Sequence, residues 1–215
     1  MDNIATLKIG KNPIKNPIIT CITQKGKVLI IDETEQIFNI FHEYYNQKRK
    51  IEKMEEKEQE IMGIQNEYIR TEKLNILIGY QIMSLLSFLQ KNKINKLVIG
   101  QKKHSMKKYF SCFCILKEKL LEIKKNTNIE FLFVPEDNCS VSSFIDNDKL
   151  PLFQKGQSIK FSGTKSRYVY RSKKGINVTP EINSCLNLFR RCMIVSEDVI
   201  TQLRKIFSRW SVDGL

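Results

Sequence analysis

Residues 97–134 read LVIGQKKHSMKKYFSCFCILKEKLLEIKKNTNIEFLFV, and their pattern decides the fold class. LVIG (97–100) and EFLFV (130–134) are short apolar runs of the kind that form buried strands. Between them, SCFCILKEKLLEIKKN (111–126) repeats apolar residues at helical spacing: Phe113, Ile115, Leu116, Leu120, Leu121 and Ile123. Strand, helix and strand at this spacing make a parallel crossover unit. A lysine-rich loop, QKKHSMKKY (101–109), joins the first strand to the helix.

Upstream, IATLKI, PIITCIT and KVLII within residues 4–31 are apolar runs separated by Lys, Asn, Pro and Gly. Their connections are too short for crossover helices, so antiparallel pairing of neighbours is expected. Asp32-Glu33-Thr34-Glu35 then opens a helix with Thr34 as cap, carrying Ile37, Phe38, Ile40, Phe41, Tyr44 and Tyr45 on one face. KRKIEKMEEKEQE reads as a solvated helix end or a turn between helices. A second helix is expected over roughly 64–91, largely buried along LNILIGYQIMSLLSFL, and together the two form an antiparallel hairpin.

Downstream, residues 136–178 are polar and irregular, with weak strands near FSG and YVYR. Thr179 as cap and Pro180 in the first turn start a helix through EINSCLNLFRR. The tail SEDVITQLRKIFSRW places Val199, Leu203, Ile206, Phe207 and Trp210 on one helical face, which either packs back or meets a protein partner through residues 196–210. The order of elements is that of an α/β protein with a mixed sheet flanked by helices.

The chain has 215 residues, enough for one core with an appendage. Its 36 Lys and Arg against 23 Asp and Glu give a net charge of +13, which attracts polyanions and favours nucleic acid as partner. No apolar run reaches the ~20 residues that span a bilayer, and MDNIATLKIGKNPIKNP has no secretory features. Six cysteines without a CxxC pair fit free thiols in a cytoplasmic protein. His42 and His104 are not spaced as a pair, and there is no nucleophile elbow or phosphate-binding glycine loop.

Three stretches together resemble the TnpB/OrfB insertion-sequence family, the transposon-encoded proteins related to RNA-guided nucleases. DNIATL resembles the tail of the family's DxGxNNxAT segment, and EYYNQKRKIEK its QYYNKK region. PEDNCSVSSFIDNDKLPLFQKGQSIKFSGTKSRYVYRSKKG is similar to EExYTSKxSFLDxDxLP…FSGKRxxRGLYRSxxG. INVTPEINSCLNLFRR is similar to INADVNGSLNILRK. The match runs in family order from residue 1 to about 192. It implies a RuvC/RNase H-like mixed sheet with a long helical hairpin insertion at 33–93 and an irregular basic insertion at 137–178 in place of the family's zinc ribbon. Residues 1–192 then form the core and 193–215 a C-terminal amphipathic helix.

The resemblance also implies a chemistry. RuvC-like sites gather three or four carboxylates from separate elements around two divalent ions, Mg or Mn, that hydrolyse a phosphodiester. The family's first Asp stands before the NNxAT segment, and this chain begins inside that segment. Asp2, the only nearby acid, occupies an Asn-like position. Many members carry a Glu after the strand equivalent to LVIG, where Gly100 and Gln101 stand here. Glu136, after EFLFV, matches the acid of the EExYTS subgroup, and Glu181 stands where ADVN has Asp. Glu136 and Glu181 are therefore the candidate catalytic residues and metal ligands. A strand-end carboxylate and an acid in a helix's first turn are their plain structural alternatives. No zinc is expected, because only Cys139 remains between 137 and 178. The family's N-terminal portion, which recognises guide RNA and the target-adjacent motif, has no counterpart here.

Two basic clusters are candidates for nucleic-acid contact. One is Lys102, Lys103, Lys107 and Lys108; the other is Lys160, Lys165, Arg167, Arg171, Lys173 and Lys174, interleaved with Phe161, Tyr168 and Tyr170. Three functions stay open on sequence. The chain is a truncated, nuclease-impaired binder of DNA or guide-like RNA, an active divalent-metal-dependent endonuclease, or a transposase remnant without a role.

Overall fold

The computed structural model describes residues 2–10, 15–101, 110–152 and 158–210. Strands β1 (Ile4–Ile9), β2 (Ile19–Thr23), β3 (Val28–Ile31), β4 (Lys96–Gln101) and β5 (Glu130–Pro135) form one five-stranded mixed sheet in the order β3-β2-β1-β4-β5. The β1–β2–β3 meander is antiparallel, while β1–β4 and β4–β5 are parallel. The short connections and the helical crossover thus have the pairing that their lengths require.

Between β3 and β4 the chain makes two helices, α1 (Thr34–Ile51) and α2 (Glu56–Lys91), and α3 (Phe110–Asn126) makes the crossover to β5. Thr34 is not the cap expected of it. The helix starts on it, and the Asp32 carboxylate accepts its amide at 3.1 Å. Beyond β5, three two-residue strands, β6 (Thr164–Lys165), β7 (Tyr170–Arg171) and β8 (Asn177–Val178), form a small antiparallel sheet that leads to α4 (Pro180–Arg191) and α5 (Glu197–Phe207). Thr179 Oγ1 caps α4 by accepting the Ile182 amide at 3.2 Å.

Alternation along the strands feeds two cores. Ala5 and Leu7 of β1, with Leu97 and Ile99 of β4, face α1, α2 and α3 through Ile37, Phe41, Leu74, Ile78, Leu85, Leu116 and Leu120. Ile4 and Val98 face the other way, onto Ile182, Leu186 and Phe189 of α4 and Leu203 and Phe207 of α5. Of the two roles open to the C-terminal segment, α5 displays the first: its apolar face packs back on its own chain.

Helix α2 differs from expectation. It begins eight residues earlier, at Glu56, and only Leu74, Ile78, Ile82, Leu85 and Leu89 are buried. Ile61, Ile64, Tyr68, Ile76, Tyr80 and Met83 are exposed. The sheet covers one stripe of a helix, and the apolar half of α2 supplies more stripe than there is sheet to cover. No described helix is long and apolar enough to cross a membrane.

Candidate functional site

The strand ends and α4 converge on three charged side chains. Glu136 follows β5, its amide donating to the Gln101 carbonyl at 2.8 Å and so extending the parallel ladder by one residue. Glu181 is held in the first turn of α4. Lys8 comes from the central strand β1, on the same face as Ile4 and Thr6, directly opposite Thr20 of β2. Its ammonium lies 3.8 Å from Glu136 Oε1 and 3.7 Å from Glu181 Oε1. All three are buried, with side-chain exposures of 6% for Lys8, 3% for Glu136 and 11% for Glu181. Ser184 Oγ donates to Glu136 Oε1 at 3.2 Å, and Asn16 Nδ2 to Glu181 Oε1 at 3.4 Å.

The two sequence candidates thus come together, and a residue that the sequence does not single out stands between them. The resemblance points upstream of DNIATL for the first acid. The strand side chain that meets Glu136 and Glu181 comes instead from IATLKI itself, and it is a lysine. Asp2 lies at the other end of β1, where it pairs with Lys96 at 3.0 Å. Lys8 is buried with its strand neighbours Thr6 and Leu7, so its charge needs a buried partner. Gly100 is also informative, because a Cβ there would stand 3.3 Å from Glu136 Cγ. The bare strand end of β4 leaves the space that Glu136 enters from β5.

The divalent ion implied by the resemblance does not fit these residues. The carboxylate oxygens turned toward the centre already face an ammonium, and a further cation there meets like charge in a poorly solvated site. Among the described residues no group of three or more His, Cys, Asp or Glu is placed to hold a metal ion.

Much of the motif that carried the resemblance does structural work. Asp146 accepts from Ser143 Oγ at 2.7 Å, from the Lys173 amide at 2.7 Å and from Ser162 Oγ at 3.3 Å. Asp148 accepts from the amides of Ser143 and Ser162 at 2.9 and 3.0 Å. These two aspartates of SFIDND therefore tie FSG and YRSKK into one knot. Burial raises the Asp146 pKa, but the donors from Ser143, Lys173, Lys174 and Ser162 outweigh it and hold the carboxyl below the ordinary aspartate value. On α4, Asn183 Nδ2 donates to the Ser142 carbonyl at 2.9 Å and Asn187 Nδ2 to the same oxygen at 2.7 Å. The loop that follows Glu136 is thereby fixed to the helix that carries Glu181. Cys139 is buried in this loop, and burial pushes its thiol up to about 12.

Lys160, Lys165, Arg167, Arg171, Lys173 and Lys174 are all exposed. Arg167 stacks on Tyr168, 4.8 Å from its ring centre. Arg167 and Tyr168 wall a cleft of about 300 Å³ together with Lys15, Asn16, Pro17, Asp32, Thr34 and Glu181. Lys102, Lys103, Lys107 and Lys108 lie outside the described residues.

Neither protein-family models nor curated proteins give a match to the sequence. Solved structures do. The chain is similar to one in the cryo-EM structure of a Cas12f1–sgRNA–target DNA complex, with a TM-score of 0.58 and 19% identity over 86% of this chain and 49% of that one. It is also similar to a chain in a CRISPR–Cas12f ternary complex, with a TM-score of 0.59 and 16% identity over 90% of this chain and 39% of the other. At these identities the likeness is one of fold. The mixed sheet with its flanking helices is an architecture shared with up to half the length of a Cas12f chain.

Proposed function

We propose that this chain is a nucleic-acid-binding protein with a RuvC-like nuclease fold of the TnpB/Cas12 kind, and that it binds DNA or a guide-like RNA without efficient cleavage. The observation that carries this reading is the cleft over Glu181, walled by Lys15, Arg167 and Tyr168. Two cations and an aromatic ring share this cleft with Asp32 and Glu181, and the cations and ring suit a phosphate backbone and a stacked base. The exposed Arg171, Lys173 and Lys174 continue the positive surface, and the net charge of +13 supplies long-range attraction. One of the Cas12f structures that share the fold is a complex with sgRNA and target DNA, which supports the same partner class here.

In this reading residues 1–192 are the binding core and the C-terminal helix is an appendage docked on it. The loss of cleavage follows from the acids: Glu136 and Glu181 are two where a RuvC-like site uses three or four. The test is filter binding of single-stranded and duplex DNA and RNA at varied salt, with Mg²⁺ present. Salt-sensitive binding with intact nucleic acid supports the proposal, and no salt-sensitive affinity removes it. Mg²⁺-dependent cleavage that vanishes in Glu136→Ala supports the active-endonuclease alternative instead.

A further inference from the structure

We propose that Lys8 is the resident cation of this site, and that its ammonium makes the Glu136–Glu181 pair a closed ion triad that takes up no divalent metal. The inference rests on the RuvC-like reading of the fold only for calling this the metal position. Its physical content stands on the three side chains themselves.

Lys8 projects from the middle strand of the five, between the strand end that carries Glu136 and the helix start that carries Glu181. A ligand joining those two carboxylates from the sheet would come from this position. The ammonium reaches both acids at ion-pair distance, and the triad is nearly excluded from solvent. Two buried carboxylates repel one another, and one cation shared between them offsets one of their two charges. The oxygens turned toward Lys8 are also those that accept Ser184 Oγ and Asn16 Nδ2. A metal entering here would have to displace the ammonium and take oxygens already engaged by other donors. Lysine therefore works against a metal twice: it offers no oxygen ligand, and its positive charge repels a second cation.

The test is Mn²⁺ titration of the whole chain followed by electron paramagnetic resonance of the free ion. Wild type, Lys8→Asp and Glu136→Gln/Glu181→Gln are compared, with Lys8→Gln as the variant to use should Lys8→Asp fail to fold. Wild type and the double glutamine variant are expected to take up Mn²⁺ equally weakly. Removing the ammonium is expected to create a site at least tenfold tighter than anything in wild type. Wild-type uptake that disappears in the double glutamine variant overturns the proposal. So does a folded Lys8 variant that gains no affinity. DNA binding measured in parallel keeps the two ideas separate. Its absence removes the proposed function and leaves the triad standing, whereas metal uptake by wild type does the reverse.

Discussion

The Cβ that Gly100 lacks would lie 3.3 Å from Cγ of Glu136 and 3.2 Å from each terminal methyl of Leu188. One strand end is kept bare so that a carboxylate from the next strand can lie across it. Gly100→Ala must push Glu136 or Leu188 aside by a few tenths of an ångström, in a region where both are buried. Overpacking of this kind costs about 1–3 kcal/mol. Urea denaturation should show that loss, and a substitution at an exposed strand residue such as Phe133 should not.

Removing the ammonium without removing the acids leaves two buried carboxylates uncompensated. Lys8→Met should therefore destabilise the fold by about 3–5 kcal/mol, the usual cost of breaking a buried pair. Adding Glu136→Gln and Glu181→Gln to Lys8→Met should recover most of that loss, since the site is then neutral. A thermodynamic cycle of Lys8→Met, the double glutamine variant and the triple variant, followed by thermal denaturation, measures the coupling. An additive result would show that the three side chains do not act as a unit.

Asp146 gives the fold a defined acid sensitivity. Its folded pKa is lowered, with burial opposing and the Ser143, Lys173, Lys174 and Ser162 donors prevailing. A lowered folded value means the carboxylate's contribution is fully present above about pH 4 and fades as pH falls through the folded value. Asp146→Asn should be less stable than wild type at pH 7 by about 0.5–1.5 kcal/mol, since solvent screens part of the carboxylate's interactions. The gap should narrow as pH is taken from 5 to 3. Urea midpoints at three pH values check the sign, and a gap that widens in acid would contradict it.

The basic surface makes a prediction in salt. Neutralising Arg167, Lys173 and Lys174 together should weaken DNA or RNA binding at all sequences. It should also reduce the slope of log K against log salt by about 0.7–0.9 for each phosphate that is no longer neutralised. Tyr168→Ala should weaken single strands more than duplexes and leave the slope unchanged, because stacking releases no counterions. Filter binding between 50 and 200 mM salt separates the two effects.

The β–α–β unit, the meander and the Thr179–Pro180 helix start were legible because period and capping are local signals. The exposure of Ile64, Ile76 and Tyr80 was not, since composition alone cannot say how much of a helix face a five-stranded sheet will cover. Glu136 and Glu181 could be singled out through the family resemblance of their motifs, but that they share one counterion is a long-range fact. Lys8 was hidden for the same reason: a lysine in a strand reads as a solvent-facing residue until the partner helix, more than 170 residues away, is in place. The aspartates of SFIDND were visible as a motif, although their work of knotting distant turns was not.

Helix α2 has 36 residues, and its first buried side chain is Leu74. At 1.5 Å per residue the rod is about 54 Å long, with half of it beyond the sheet. The outer half is held to α1 through Arg70 over Tyr44 and through Asn66 on the Tyr44 carbonyl. Amide protons along this one helix should therefore exchange on a gradient, quickly near residues 56–70 and at the rate of global opening near Leu85. Protease added to the native chain should nick the tip between the helices first and leave the strand-bearing remainder associated.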